Sequence, residues 1–108
     1  MIQLKAGVDL RGISPEVIVG LLVLDGVFTR YGAPVVITSC RDGQHMEKSK
    51  HYSGDAIDVR LVSKFNTTEN VDVKVLADTR VALGDQFDLV LEHDHYHLEL
   101  DVKADTHT

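Results

Sequence analysis

Apolar residues recur along this chain in two rhythms, and the changes of rhythm mark its elements. Residues 1 to 12 form a lead-in that is only weakly strand-like. Ser14-Pro15-Glu16 then makes a strong helix start. Ser14 can cap, Pro15 suits the first helical position, and Glu16 suits the positive end of the helix dipole. Ile18, Leu21, Leu22 and Phe28 follow at helical spacing. The segment is apolar on nearly every side, which predicts a well-buried helix. Gly32 and Pro34 end it. Val35-Val36-Ile37-Thr38 is β-branched and short, an interior strand by pattern. Residues 41 to 52 are polar and read as a loop.

From Ala56 to Val62 the rhythm is alternating. Ile57, Val59 and Leu61 share one face, while Ala56, Asp58 and Arg60 share the other. In the polar stretch that follows, Asn66 and Glu69 have the spacing of a capping pair. Val71, Val75, Leu76, Thr79, Ala82 and Leu83 make a helical stripe closed by Gly84. Phe87, Leu89 and Leu91 alternate again, and Glu92-His93-Asp94 falls where a hairpin turn is expected. The last strand puts Tyr96, Leu98, Leu100 and Val102 on one face and His95, His97, Glu99 and Asp101 on the other. Helix, strand, strand, helix, hairpin predicts an α+β fold. Its sheet is expected to be mainly antiparallel, with helices packed on one face and a cleft on the other. A single domain spans residues 1–108, with its core at about 15–102.

Composition narrows the function. The chain has 11 Lys and Arg against 17 Asp and Glu, a net charge of −6, so nucleic acid is not an expected partner. No apolar run approaches the roughly 20 residues of a membrane span. The first residues lack the apolar core of a signal peptide, so synthesis in the cytoplasm is expected. One cysteine, Cys40, excludes an intramolecular disulfide and a Cys-rich zinc cluster. It is expected to be a small buried side chain. Six histidines stand out, three of them at positions 93, 95 and 97.

In the run Ser49-Lys50-His51-Tyr52-Ser53-Gly54-Asp55-Ala56-Ile57-Asp58, a loop histidine precedes by seven residues an aspartate on the polar side of a strand. Gly54 allows a sharp turn between them. His95 and His97 add imidazoles on a late strand. If these strands are neighbours, three or four metal-binding side chains share one cleft. Imidazole and carboxylate are zinc ligands, and three protein ligands leave a fourth position for water.

Ser49-x-His51-x-x-Gly54-x-Ala56-x-Asp58, followed by Asp94-x-x-His97 or His95-x-His97, resembles the zinc peptidases of peptidoglycan. These comprise D-alanyl-D-alanine carboxypeptidases and dipeptidases, and the L-alanyl-D-glutamate peptidases used as phage endolysins. The hedgehog signalling domain has the same zinc core. Ile37-Thr38-Ser39-Cys40-Arg41 is similar to the family's strand ending in Ser and then Arg. The resemblance covers roughly residues 15 to 102. It implies a Zn2+ ion held by His51, Asp58 and His97. It implies in some members a carboxylate base, here Asp94, that takes the water proton and passes it to the leaving amine, and in others a histidine, here His95, that stabilises the oxyanion, and both residues are present. Arg41 would hold the substrate carbonyl or a developing oxyanion. Ser49 would hydrogen-bond a ligand from behind. The implied activity is hydrolysis of an amide bond in a peptidoglycan stem peptide. A monomer is expected, and compactness with no export signal points to a phage lysin or virion component acting on the cell wall.

Each residue also has a plainer role. His51 alone would be a loop histidine, Asp58 an exposed strand residue paired to a cation, and Asp94 a turn residue. His93, His95 and His97 would be a solvated face, and Arg41 an ordinary loop arginine. No role falls to His45 or His107. Glu92 with His95 forms a rival register two residues earlier. The His97 register is preferred because it keeps a carboxylate or histidine at both expected offsets. Glu99 is expected to flank the site or orient a ligand. Trp is absent, so no aromatic sugar platform is expected, and peptide rather than glycan cleavage fits. The competing functions are a non-catalytic zinc relative serving as a binding or structural module, and a small α+β module whose histidines bind nothing.

Overall fold

Among the described residues, five strands and two α-helices are built from these patterns. The computed structural model describes residues 1–40 and 54–101. In order they are β1 (Ile2–Leu4), α1 (Pro15–Arg30), β2 (Val35–Ser39), β3 (Ala56–Arg60), a 3-10 turn (Val62–Lys64), α2 (Val71–Leu83), β4 (Phe87–Leu91) and β5 (His95–Leu100). The strands form one sheet in the order β1-β2-β3-β5-β4. β1 runs parallel to β2, and every other pair is antiparallel. The sheet is therefore mixed but mostly antiparallel, and the fold is α+β.

Both helices pack on one face. Val17, Leu21, Leu24, Val27 and Phe28 of α1 and Val71 and Val75 of α2 share a core with Ile37, Ile57, Val59, Leu89, Tyr96 and Leu98 of the sheet. Burial of each large side chain contributes about 1.5–3 kcal/mol before the entropic cost. Phe28 and Tyr96 meet at the centre, with ring centroids 5.5 Å apart and planes tilted by 55°. The Ser14 hydroxyl accepts from the Val17 N–H, so α1 begins where its cap predicts. Gly20 sits where a Cβ would lie 3.0 Å from the Phe87 ring, which lets the helix approach β4 and β5 closely.

Two expectations need correction. Helix α1 is not buried all round: Ile18, Val19 and Leu22 are exposed, since one side of a helix laid on a sheet still faces outwards. Asn66 does not cap α2. Its Oδ1 accepts from the Thr68 N–H, and its amide donates to the Tyr31 carbonyl, tying the end of α1 to the connection before α2. Asn70, in the left-handed region at φ 59°, stands at the α2 N-cap without a side-chain cap bond. No helix among the described residues is long and apolar enough to cross a membrane.

Candidate functional site

Strand alternation decides which side chains leave the core. Ile57 and Val59 point into it, so Asp58 points to the opposite face of β3, the middle strand. Tyr96 and Leu98 are fully buried, so His95, His97 and Glu99 share that opposite face on β5. Tyr96 is also pinned by chemistry. Its hydroxyl donates to Asp72 Oδ1 at 2.5 Å, and burial together with that bond pushes its pKa well above the usual phenol value. The phase of the two flanking histidines is thereby fixed.

β3 and β5 are direct neighbours, as convergence requires. Asp58 is the Cα partner of His97, and Arg60 that of His95. Asp58 Oδ1 lies 2.9 Å from His97 Nδ1 and 3.5 Å from His95 Nε2. This register puts His97 directly opposite the aspartate, with His95 one diagonal step away opposite Arg60. Glu99 Oε1 lies 3.4 Å from His97 Nε2. Held between two carboxylates, the His97 imidazole has its pKa raised. The Asp58 hydrogen bond is the main cause, desolvation opposes it, and Glu99 adds to it.

Asp94 lies in the three-residue turn before β5. Its side chain is 77% exposed, against 15% for Asp58, so it stands at the rim. Its Oδ1 is 2.7 Å from His95 Nδ1, and that bond holds its carboxyl below the usual carboxylate range. His95 therefore bridges Asp94 to Asp58. Arg41, Ser49 and His51 lie outside the described residues, as do His45, Val102 and His107.

The chemistry of the pair suits zinc. Tetrahedral N and O ligands sit about 2.0–2.1 Å from the ion, which sets neighbouring donors roughly 3.3 Å apart. The Asp58–His97 separation of 2.9 Å is a few tenths of an ångström shorter. Among the described residues no group of three His, Cys, Asp or Glu side chains could hold a metal ion, and the expected third ligand, His51, falls outside them.

Two clefts adjoin the pair. One, of about 370 Å³, is lined by Lys5, Thr38, Arg60 and Lys64 as well as Asp58, Asp94 and His95. The other, of about 540 Å³, reaches His97 and Glu99 from the β4 side past Asp88 and Val90. Sequence reasoning missed the basic residues of the first cleft. Arg60 alone had a legible signal, being in phase with Asp58 on one strand. Lys5 arrives from just after β1 and Lys64 from the 3-10 turn, and only the folded chain brings them there. No family model, no curated protein and no solved structure matches this chain.

Proposed function

We propose that this chain is a zinc-dependent peptidase that hydrolyses an amide bond in peptidoglycan stem peptides. The observation that carries the reading is the direct pairing of Asp58 with His97 across β3 and β5, with His95 beside them on the same open face. Asp58, from the first of the two motifs that resemble the peptidase pattern, thus lies beside His95 and His97 of the second.

Asp58 and His97, together with His51, would hold the metal. When bound, zinc lowers the pKa of a coordinated water and polarises a carbonyl, so amide hydrolysis becomes feasible near neutral pH. His95 lies close enough to the centre to take up or deliver a proton there. Asp94 holds Nδ1 of that ring, which fixes the orientation of Nε2 towards Asp58. The half-buried setting of Asp58 and His97 strengthens their electrostatic interaction relative to bulk water.

Elemental mass spectrometry of the native chain, with stem-peptide cleavage as a second readout, tests this. About one zinc per chain, lost in His51→Ala and in Asp58→Ala, together with release of new amines from muropeptides, is the expected result. A chain that takes up no zinc at neutral pH, or a zinc-loaded chain that releases no amines, overturns it.

A further inference from the structure

Each ring nitrogen of His97 faces a carboxylate. Nδ1 lies 2.9 Å from Asp58 Oδ1, and Nε2 lies 3.4 Å from Glu99 Oε1. A nitrogen that binds a metal has no proton, so the proton of the neutral ring then resides on the other nitrogen. Nδ1 is the atom turned towards Asp58, and Nε2 is the atom turned towards Glu99. Local features aim Glu99 at the ring. It follows His97 by two residues on β5 and shares the open face, while Leu98 between them points into the core. Its Cα partner on β3 is Ala56, whose methyl group does not compete for the carboxylate. Its Cα partner on β4 is Asp88, a like charge that disfavours a carboxylate turned that way. Both side chains are partly sheltered, His97 at 24% and Glu99 at 29% exposure, which strengthens a hydrogen bond relative to one in open water.

We infer that Glu99 is a positioning residue for the metal centre: its carboxylate accepts from the Nε2–H of His97 and so presents Nδ1, beside Asp58, to the ion. This role rests on the reading of Asp58 and His97 as metal ligands, and it gives Glu99 no contact with substrate. A carboxylate behind a ligating imidazole fixes the tautomer and the orientation of the ring and makes the ring a stronger donor. Charge nearby is not enough, because the acceptor must be within reach of Nε2. At 3.4 Å the full length of the glutamate is needed. An aspartate at the same place would keep the charge, but it is one methylene shorter and would lose the hydrogen bond.

The test combines zinc affinity, measured by competition with a chromophoric chelator, and ring-nitrogen NMR of His97 in the isotope-labelled, zinc-loaded full-length chain. Wild type is compared with Glu99→Ala, Glu99→Asp and Glu99→Gln. In wild type the metal is expected on Nδ1 and the proton on Nε2. Glu99→Ala should weaken zinc binding about 10–100-fold, the usual effect of losing such a partner, and its Nε2 proton should exchange faster with water. Glu99→Asp should behave like Glu99→Ala although it keeps the charge. Glu99→Gln keeps the size of the side chain and an oxygen that accepts, so it should recover most of the affinity and guards against a folding defect. Metal on Nε2, or wild-type zinc affinity in Glu99→Ala, overturns the positioning role. Wild-type affinity in Glu99→Asp reduces Glu99 to a nearby charge and overturns it as well. Zinc uptake with the expected Glu99 effects but no release of amines removes the peptidase reading and leaves the positioning role standing. Cleavage with zinc affinity unchanged in Glu99→Ala does the reverse. A chain that takes up no zinc ends both.

Discussion

Asp58 and His97 oppose each other across the central ladder, Oδ1 to Nδ1 at 2.9 Å, although 39 positions separate them in the chain. The aspartate raises the pKa of the imidazole, and the sign of the stability effect follows. In the metal-free chain the stabilisation from charged His97 is fully present below about pH 6.5, the ordinary histidine value. It is lost as pH rises through the raised native value. Urea denaturation of the metal-free chain should therefore show stability falling over that window, with the fall flattened in Asp58→Asn. Zinc reverses the trend, because it competes with the proton for the imidazole, so its stabilisation should grow with pH. Identical pH profiles for wild type and Asp58→Asn would show that the pair does not couple.

His95 and Asp94 divide one task by position. His95 Nε2 is 3.5 Å from Asp58, whereas Asp94 is at the rim and holds His95 from the far side. His95→Ala should lower kcat by about 10²–10⁴, the usual range for a lost general acid or base. Asp94→Asn should cost less, about 10–100-fold, as an orienting partner does. Zinc content should stay unchanged in both. A larger loss in Asp94→Asn than in His95→Ala would move the proton-transfer role to Asp94.

Much of this site was legible because β5 is strictly alternating. Tyr96, Leu98 and Leu100 assign one face, and His95, His97 and Glu99 fall on the other without knowledge of the rest of the chain. The Asp58 phase followed in the same way from Ile57 and Val59. The adjacency of β3 and β5 was not legible, since strand pairing across a helix and a hairpin depends on tertiary packing. β1 was hidden for a related reason. It is three residues long and exposed, so its apolar Ile2 and Leu4 are not buried and the alternation is too short to stand out, and its parallel pairing to β2 leaves no local signature. The exposed side of α1 misled because Ile18, Val19 and Leu22 are as apolar as the buried residues beside them. Asn66 misled because an Asn can turn the local backbone as readily as it caps a helix.

Gly54 separates the expected ligands His51 and Asp58, and its role is steric as well as conformational. Its φ is +82°, and a Cβ there would lie 2.1 Å from the Gly12 carbonyl oxygen. Its own carbonyl accepts from the Ser14 N–H at 2.9 Å, joining the start of β3 to the start of α1. Gly84 has a similar φ of +77° but open space around the added Cβ. Gly84→Ala should therefore cost about 1–3 kcal/mol, the conformational penalty alone, because its ψ of −164° lies where only glycine is at ease. Gly54→Ala should cost about 2–4 kcal/mol, because the backbone of residues 12–14 must also shift. Chemical denaturation of both variants checks the ranking, and equal losses would rule out the close approach as the cause.

Two fully buried hydroxyls give opposite predictions. Tyr96 donates to Asp72, whose Oδ1 also accepts from the Ser63 N–H, so the carboxylate ties β5 to the 3-10 turn and α2. Thr79 is equally buried on α2, and its Oγ1 finds no hydrogen-bond partner among the described residues. A hydrogen bond to a charged acceptor contributes about 1.5–3 kcal/mol, and Tyr96→Phe should lose about that much. Thr79→Val keeps the shape and removes a hydroxyl that gains nothing from burial. It should be neutral or stabilising by about 1 kcal/mol, since the helix propensities of the two residues are close. Thermal denaturation of the pair measures both. Neither change reaches the open face of the sheet, so zinc content should hold in each. A destabilised Thr79→Val would mean that the hydroxyl does have a partner, and a neutral Tyr96→Phe would mean that Asp72 does not hold β5 in register.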